Sequence, residues 1–241
     1  MFNRAGIAPR ADFALVRPNE METSLHAQLK NRYADGDQVE VRMDGFRIDA
    51  IRDDTLVEVQ HGSLGAIRDK VRKLLKRHDV LVVKPIVARK RIVKCDAADG
   101  KVIHRRWSPK TGTWLDFFED FVYFVTVFPH TRLSIEVVCV EMEEWRYPRE
   151  SKRRRRRRNA GDYKVSDQRL LEVKDNRTIR TPSDLFKLLP NVPLDDWHTG
   201  DLAESLGVDR WIAQRIAYCL RETGAAKTVG KKRNTIIYRV A

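Results

Sequence analysis

Three polar side chains lie on two neighbouring predicted strands, in the stretch FRIDAIRDDTLVEVQ at residues 46–60. Asp49 lies on the first strand. Glu58 and Gln60 lie on the second, where alternation places both on one face. An antiparallel pairing can bring Asp49 beside Glu58, and two such carboxylates repel each other unless a divalent cation lies between them. The stretch therefore predicts a metal site, and the alternative is a set of solvated side chains on an outer strand face.

The helices and strands that must position these side chains follow from the apolar patterns. Asp44-Gly45 is typical of a two-residue hairpin turn. The last strand is apolar throughout, as expected when both of its faces are covered. The predicted order is a helix at 20–34, strands at 38–43, 46–51 and 55–60, a helix at 62–78 and a strand at 79–88. This α-β-β-β-α-β order predicts an α/β (α+β) domain with a mixed sheet.

This order of elements, with Asp49, eight intervening residues and then Glu58-Val59-Gln60, resembles the PD-(D/E)XK nuclease superfamily over roughly residues 20–88. The resemblance implies a restriction-endonuclease-like core in which Asp49 and Glu58 bind Mg²⁺ (or Mn²⁺). It also implies a contribution from an acid on the first helix, which would be Glu22 or, as second choice, Glu20. The implied chemistry is metal-assisted hydrolysis of phosphodiester bonds.

The sequence departs from that superfamily at Gln60, where a lysine is usual. Gln60 can orient a water molecule through its amide, but it brings no charge to the developing phosphorane. Lys70 or Arg68 on the following helix could supply the missing cation. The alternative is a domain that keeps the fold without the activity, which would make the protein a non-catalytic DNA-binding regulator.

The chain is strongly basic, because 47 Lys and Arg against 34 Asp and Glu give a net charge of +13. Such a balance favours a polyanionic partner, most often nucleic acid. Much of the excess lies in residues 151–180, with 12 basic and 4 acidic residues. The run KRRRRRRN at 152–159, from Lys152 to Arg158 in its basic part, could contact several phosphates, signal nuclear import or serve as a charged linker.

A second basic segment, residues 84–110, holds 9 basic and 2 acidic residues. Most of it forms a predicted hairpin at 89–107. That hairpin could clamp the phosphates of a duplex, or it could be a solvated edge ribbon whose cations prevent edge pairing. A helix at 113–125, a strand at 132–142 and a further hairpin at 163–179 are predicted to follow.

Residues 181–241 resemble a winged helix-turn-helix domain, with three helices followed by two strands. The third helix, 208–224, carries a buried stripe formed by Ile212, Ile216 and Leu220. Arginine and glutamine on its other face are the residue types that reach base edges and phosphates. The predicted DNA-binding residues are Arg210, Gln214, Arg215, Tyr218 and Arg221 on this helix and Lys231, Lys232 and Arg233 at the wing tip. Winged helices also serve as protein-interaction modules, and the cationic wing favours DNA.

The predicted organisation is a nuclease-like domain at 1–148, a basic linker with a hairpin at 149–180 and a small C-terminal winged-helix domain at 181–241. We expect a metal-dependent DNA nuclease of repair, restriction or defence, with double-stranded DNA as its partner. An RNA-processing or RNA-binding protein is a weaker alternative, and a homodimer stays open. Trp197 and Trp211 are predicted core aromatics.

The remaining patterns predict an intracellular protein that is cytoplasmic or nucleoid-associated. The longest apolar run, at 121–128, is far too short to span a membrane, and no signal-peptide core follows the N-terminus. The cysteines, Cys95, Cys139 and Cys219, are far apart and odd in number. This argues against a zinc site and favours buried thiols in a reducing compartment.

Overall fold

The computed structural model of the protein describes residues 22–36, 38–149, 163–192 and 195–241. These ranges form a mixed seven-stranded sheet with helices packed on both faces, followed by helices and a two-stranded sheet. The helices are α1 (Ser24–Tyr33), α2 (Arg68–Leu74), α3 (Phe117–Phe121), α4 (Thr199–Leu206) and α5 (Arg210–Glu222). The strands are β1 (Val39–Met43), β2 (Phe46–Arg52), β3 (Thr55–Val59), β4 (Val80–Cys95), β5 (Val102–Trp107), β6 (Leu133–Pro148), β7 (Tyr163–Ile179), β8 (Ala226–Lys232) and β9 (Thr235–Val240).

The strand order of the large sheet is β1-β2-β3-β4-β6-β7, and β5 pairs with the second half of β4. The first three strands form an antiparallel meander. β3, β4 and β6 are parallel, and β7 returns antiparallel to β6. The parallel step from β3 to β4 requires a crossover, which contains α2. The predicted α-β-β-β-α-β order and the mixed sheet are confirmed, as is the turn at Asp44-Gly45, where both residues have positive φ angles.

Two strands are longer than the sequence predicts. β4 continues to Cys95 and forms one side of the predicted basic hairpin, and β5 forms the other. β7 is a single strand of 17 residues, so the hairpin predicted at 163–179 is wrong. Asp175 and Asn176 pair with β6 instead of turning, and three register shifts accommodate the long pairing. The sequence does not indicate one long strand here, because β7 lies at a sheet edge and most of its side chains are exposed.

Residues 163–179 therefore belong to the large sheet, within the stretch predicted as linker. The arginine run at 152–159 lies outside the described residues. Both predicted helices next to the sheet are shorter than expected: the 62–78 helix consists of a 3-10 turn at Leu64–Ala66 and α2. The 113–125 helix consists of a 3-10 turn at Trp114–Asp116 and α3.

Each face of the large sheet buries its own apolar cluster. On one face α1 packs Leu25, Leu29 and Tyr33 against the strands. On the other face the cluster includes α2 and α3 and continues without interruption into α4, α5 and β9. The contact between α3 and α5 joins the sheet to the C-terminal helices. The C-terminal segment, from α4 to β9, thus shares a core with the sheet.

The C-terminal segment confirms most of its predicted pattern. Ile216 and Leu220 are fully buried, and Ile212 packs against the same cluster. Trp197 is buried as predicted, but the prediction for Trp211 is wrong, because its side chain is 50% exposed. It lies one residue off the buried stripe. Cys95 and Cys219 are buried and Cys139 is half-buried. Among the described residues, every helix is too short or too polar to cross a bilayer.

Candidate active site

Asp49 and Glu58 lie where the pairing of β2 with β3 ends. The last pair on this side is Ala50 with Val57, and the two carboxylates occupy the next position on each strand. Asp49 Oδ2 accepts a hydrogen bond of 2.8 Å from the backbone N–H of Val59. The sequence prediction that this meander brings the two acids together is consistent with this geometry, since the charge of Asp49 acts on Glu58.

Glu58 is a buried carboxylate beside a lysine. Its exposure is 3%, and its Oε1 lies 2.5 Å from Lys70 Nζ. Burial and the charge of Asp49 raise the pKa of Glu58 to about 7, although Lys70 lowers it. Among the described residues, Glu58 Oε1 has no aligned hydrogen-bond donor despite this ion contact. The Lys70 ammonium thus occupies this oxygen, and a metal held by Glu58 would displace that ammonium or bind through the second carboxylate oxygen.

Three charged side chains spaced four residues apart, Glu22, His26 and Lys30, lie on or just before one face of α1. Glu22 precedes the helix, and Glu22 Oε1 lies 2.6 Å from His26 Nδ1 and 2.5 Å from Lys30 Nζ. His26 Nε2 lies 2.8 Å from the Val59 carbonyl oxygen and 3.4 Å from Asp49 Oδ2. Glu22 therefore reaches the site as predicted, and Glu20 lies outside the described residues.

His26 is a charged group in this arrangement. Its burial favours the neutral ring, but the hydrogen bond and charge of Asp49, with smaller effects from Val59 and Glu22, raise the pKa of His26 to about 9. His26 thus has two acidic partners, Glu22 and Asp49. The spacing of Glu22, His26 and Lys30 on one helical face was the signal available in the sequence.

A buried carboxylate from β1 extends the network. Lys30 contacts both Glu22 and Glu40, and Arg47 contacts the second oxygen of Glu40. Glu40 lies opposite Asp49 in the β1–β2 register and has a φ of 59°. A left-handed backbone at a residue other than glycine costs about 1–3 kcal/mol, and it occurs where the surrounding structure enforces it. These groups line a cavity of about 490 Å³ that Gln60 and His61 also border.

The loop after β3 holds Gln60 at the rim of this cavity. Gln60 Nε2 donates a 3.0 Å hydrogen bond to the Ser63 carbonyl. Lys84 of β4 is buried and donates to the carbonyls of His61 and Gly62, at 3.1 and 2.6 Å, and to Asp120 at 2.6 Å. Lys84 thus fixes the loop that positions Gln60, a role that its place in an apolar strand did not indicate.

The two candidate auxiliary cations differ in position. Lys70 contacts Glu58 and also donates to the backbone carbonyl of Arg47. Arg68 instead pairs with Asp69 on the solvent side of α2. The arrangement therefore includes Lys70 and excludes Arg68, because only one face of the short helix points toward β3.

The donor set fits a hard divalent cation. Asp49 and Glu58 offer carboxylate oxygens, and the Oε1 atoms of Glu58 and Glu22 contact the ammonium groups of Lys70 and Lys30, each at 2.5 Å. Mg²⁺ binds through one or two carboxylates and completes its shell with waters and substrate phosphates. In the described part of the chain no group of three or more His, Cys, Asp or Glu side chains has the geometry to hold a metal alone.

A second candidate surface lies between α5 and the hairpin formed by β8 and β9. Four of the predicted DNA-binding residues, Arg210, Gln214, Tyr218 and Arg221, line a groove of about 280 Å³ together with Asn234 and Thr235. Arg215 lies beside Trp211, away from this groove. The wing-tip residues Lys231, Lys232 and Arg233 are exposed.

The chain is similar to one domain family and to one bacterial protein. A domain family described as "Domain of unknown function (DUF8091)" matches residues 23–180, more than half of the chain. Over 222 residues the chain is 32% identical to an "Uncharacterized protein" of Treponema pallidum (strain Nichols), a match covering 90% of this chain and 85% of that protein. No solved structure matches the chain. The family domain contains the site from His26 to Lys70 and ends just after β7, and the chain belongs to this DUF8091 family.

Proposed function

We propose that the protein is a metal-dependent DNA nuclease with a restriction-endonuclease-like core, directed to double-stranded DNA by its C-terminal winged helix. The observation that carries this proposal is the juxtaposition of Asp49 and Glu58 at the end of the β2–β3 pairing, close enough for one charge to raise the pKa of the other. The observed order of helices and strands and the basic charge of the chain support it.

Different side chains of the site would bind the metal, position its ligands and orient the attacking water. Asp49 and Glu58 would hold Mg²⁺ or Mn²⁺, which when bound activates water and neutralises charge on the scissile phosphate. The Val59 N–H and the His26 ring hold the Asp49 carboxylate in place. Gln60 orients water through its amide oxygen, while its amide nitrogen stays anchored to Ser63. Lys70 supplies the positive charge that Gln60 lacks.

The basic experiment is a cleavage assay on plasmid and branched DNA in Mg²⁺ or Mn²⁺, with Asp49→Ala beside the wild type. We expect metal-dependent cleavage by the wild type and none by the variant. Equal cleavage by both proteins, or no cleavage of any substrate, would contradict the proposed nuclease.

A non-catalytic DNA-binding regulator is the second candidate function, and one observation favours it. Lys30, Arg47, Lys70 and protonated His26 already contact the acids of the site, so that its charge is balanced by the protein itself. A site neutralised in this way can persist without a metal. Specific DNA binding in the absence of any metal-dependent cleavage would support the regulator.

Metal affinity is expected to depend on pH through Glu58. Because the pKa of Glu58 is raised to about 7, a metal must displace its proton below that pH. Apparent Mg²⁺ affinity should fall about tenfold per pH unit below 7 and level off above it. Titration calorimetry at pH 5.5, 6.5 and 8 measures this change. An affinity that is constant over this range would contradict the assigned ligand.

Duplex binding is expected to depend on the groove between α5 and the wing. Removing Arg210 and Arg221 together should weaken binding by on the order of tenfold or more and reduce its salt dependence, because each arginine can contact a base edge or a phosphate. Fluorescence anisotropy with a labelled duplex at near-physiological salt measures the change. Arg72→Ala on α2 is the matched control, and an unchanged affinity of the double variant would refute this interface.

A further inference from the structure

The end of the large sheet beyond the candidate site forms a four-stranded arm. It consists of β5, the second half of β4, the second half of β6 and the first half of β7, paired in that order. Several of the large apolar side chains that the described structure exposes gather here, namely Val102, Ile103, Trp107, Tyr163 and Val165. Exposed apolar groups concentrated in one region mark a binding surface.

A cavity of about 470 Å³ opens in this arm. Its walls combine apolar side chains with cationic ones: Ile92, Ile103 and Tyr163, and Lys94, Arg106 and Arg146. None of the described residues that line it is acidic. Ile103 is 60% exposed and Tyr163 is 39% exposed, so both offer free surface to a ligand. The guanidinium carbon of Arg146 lies 4.0 Å from the centre of the Tyr163 ring, which fixes one face of that ring.

Two of the three cations have no acidic partner among the described residues. Among the described residues, no carboxylate lies within 4.0 Å of the Lys94 ammonium or the Arg106 guanidinium, whereas Arg146 pairs with Glu144. The neighbouring basic residues of the same strands differ, because Lys90 and Arg91 pair with glutamates of β6. The unpaired charge is thus concentrated at the rim of the apolar cavity.

The cavity is connected to the candidate active site by a row of basic residues. Arg146 also lines a smaller cavity of about 270 Å³, together with Lys84, Lys90 and Lys110. Two aspartates, Asp116 and Asp120, border this smaller cavity as well. Lys84 in turn donates to the carbonyl of Gly62, which borders the candidate site. A strand of nucleic acid that leaves the site would pass Lys110 and Arg146 on the way to the arm, since Lys84 is buried against Asp120 and Lys90 pairs with Glu144.

We propose that the arm cavity binds an unpaired nucleotide of a single-stranded nucleic acid, with the base against Tyr163 and the phosphate at Lys94 and Arg106. A base inside a duplex is stacked and cannot enter such a cavity, whereas an unpaired base exposes its faces. A second copy of this chain is disfavoured as the occupant because it would bring its own excess of positive charge. The inference implies that the substrate carries a single-stranded segment beside the cut. This part of it rests on the proposed nuclease function.

The test measures binding of a labelled oligo-dT strand and of a duplex with the same number of phosphates, in EDTA and at near-physiological salt. Tyr163→Ala should weaken single-strand binding by on the order of tenfold and leave duplex binding unchanged, because stacking acts only on the unpaired base. Tyr163→Phe keeps the ring and should restore affinity. Tyr123→Ala, which removes another exposed tyrosine, is the matched control. A 2-aminopurine in the strand should change its fluorescence on binding to the wild type but not to Tyr163→Ala.

Each outcome bears on a different claim. Equal affinities of Tyr163→Ala and wild type for the single strand would overturn the cavity assignment. Ile103→Arg tests whether the cavity instead binds a second copy of the chain. If this variant abolishes self-association and leaves strand binding unchanged, the cavity assignment is overturned as well. If Asp49→Ala binds the strand normally but no protein cleaves DNA, the nuclease proposal fails and the single-strand site stands. If cleavage is observed and strand binding does not respond to Tyr163, only this inference fails.

Discussion

Glu58→Gln is expected to lower Mg²⁺-dependent DNA cleavage by on the order of 1000-fold or more. The substitution keeps the size and the position of the side chain beside Lys70, but it replaces the carboxylate that would hold the metal with a neutral amide. Mg²⁺ binding should weaken together with the activity, and the binding that remains should no longer vary with pH around 7, because the group that titrates there has been removed. Initial rates on plasmid DNA and calorimetric Mg²⁺ titrations measure the two effects.

Two comparisons make this expectation specific. Glu119→Gln removes an exposed carboxylate from α3 and should leave cleavage unchanged. Duplex binding by Glu58→Gln should equal that of the wild type, because the groove beside α5 contains none of the substituted atoms. A Glu58→Gln protein that cleaves within tenfold of the wild-type rate would remove Glu58 from the reaction.

Lys30→Met is expected to lower the free energy of unfolding by about 3–5 kcal/mol, the effect of leaving a buried charge without its partner. Lys30 is 3% exposed and contacts two carboxylates, the buried Glu40 and the half-buried Glu22. Methionine fills most of the space of the lysine side chain, so the loss reports on charge more than on packing. Urea denaturation followed by circular dichroism measures it.

The double variant Lys30→Met, Glu40→Gln should recover part of that stability, since it removes one of the two carboxylates that lose the Lys30 ammonium. Lys76→Met, at an exposed position near the end of α2, is the control and should change the free energy of unfolding by no more than about 0.5 kcal/mol. A Lys30→Met protein as stable as this control would mean that the buried network contributes little to folding.

The order of helices and strands in the first half was predictable because its signals are local. Asp44-Gly45 sets the first hairpin, and alternation marks the strands on either side of it. The true extent of β7 was not predictable in the same way. Its side chains are mainly exposed, and its pairing partner β6 lies earlier in the chain, so a polar sequence with Asp175-Asn176 at its centre resembled a turn.

The site was predictable for its acids and less so for its cations. Strand alternation placed Glu58 and Gln60, and the order of elements placed Asp49 and Glu22. The partners of these acids come from three separate elements, with His26 and Lys30 on α1, Lys70 on α2 and Arg47 on β2. Glu40 was not predictable, because its left-handed backbone depends on contacts with Lys30 and Arg47 that only the folded chain provides.

The continuous apolar core between α3 and α5 has a consequence for where a bound DNA could be cut. If the two units were joined only by a flexible tether, the length of that tether would set a broad range of cutting positions around the bound sequence. With α5 packed against α3, side-chain packing fixes the distance from α5 to Asp49 and Glu58. A nuclease built in this way would cut DNA at a constant distance from the sequence bound at α5.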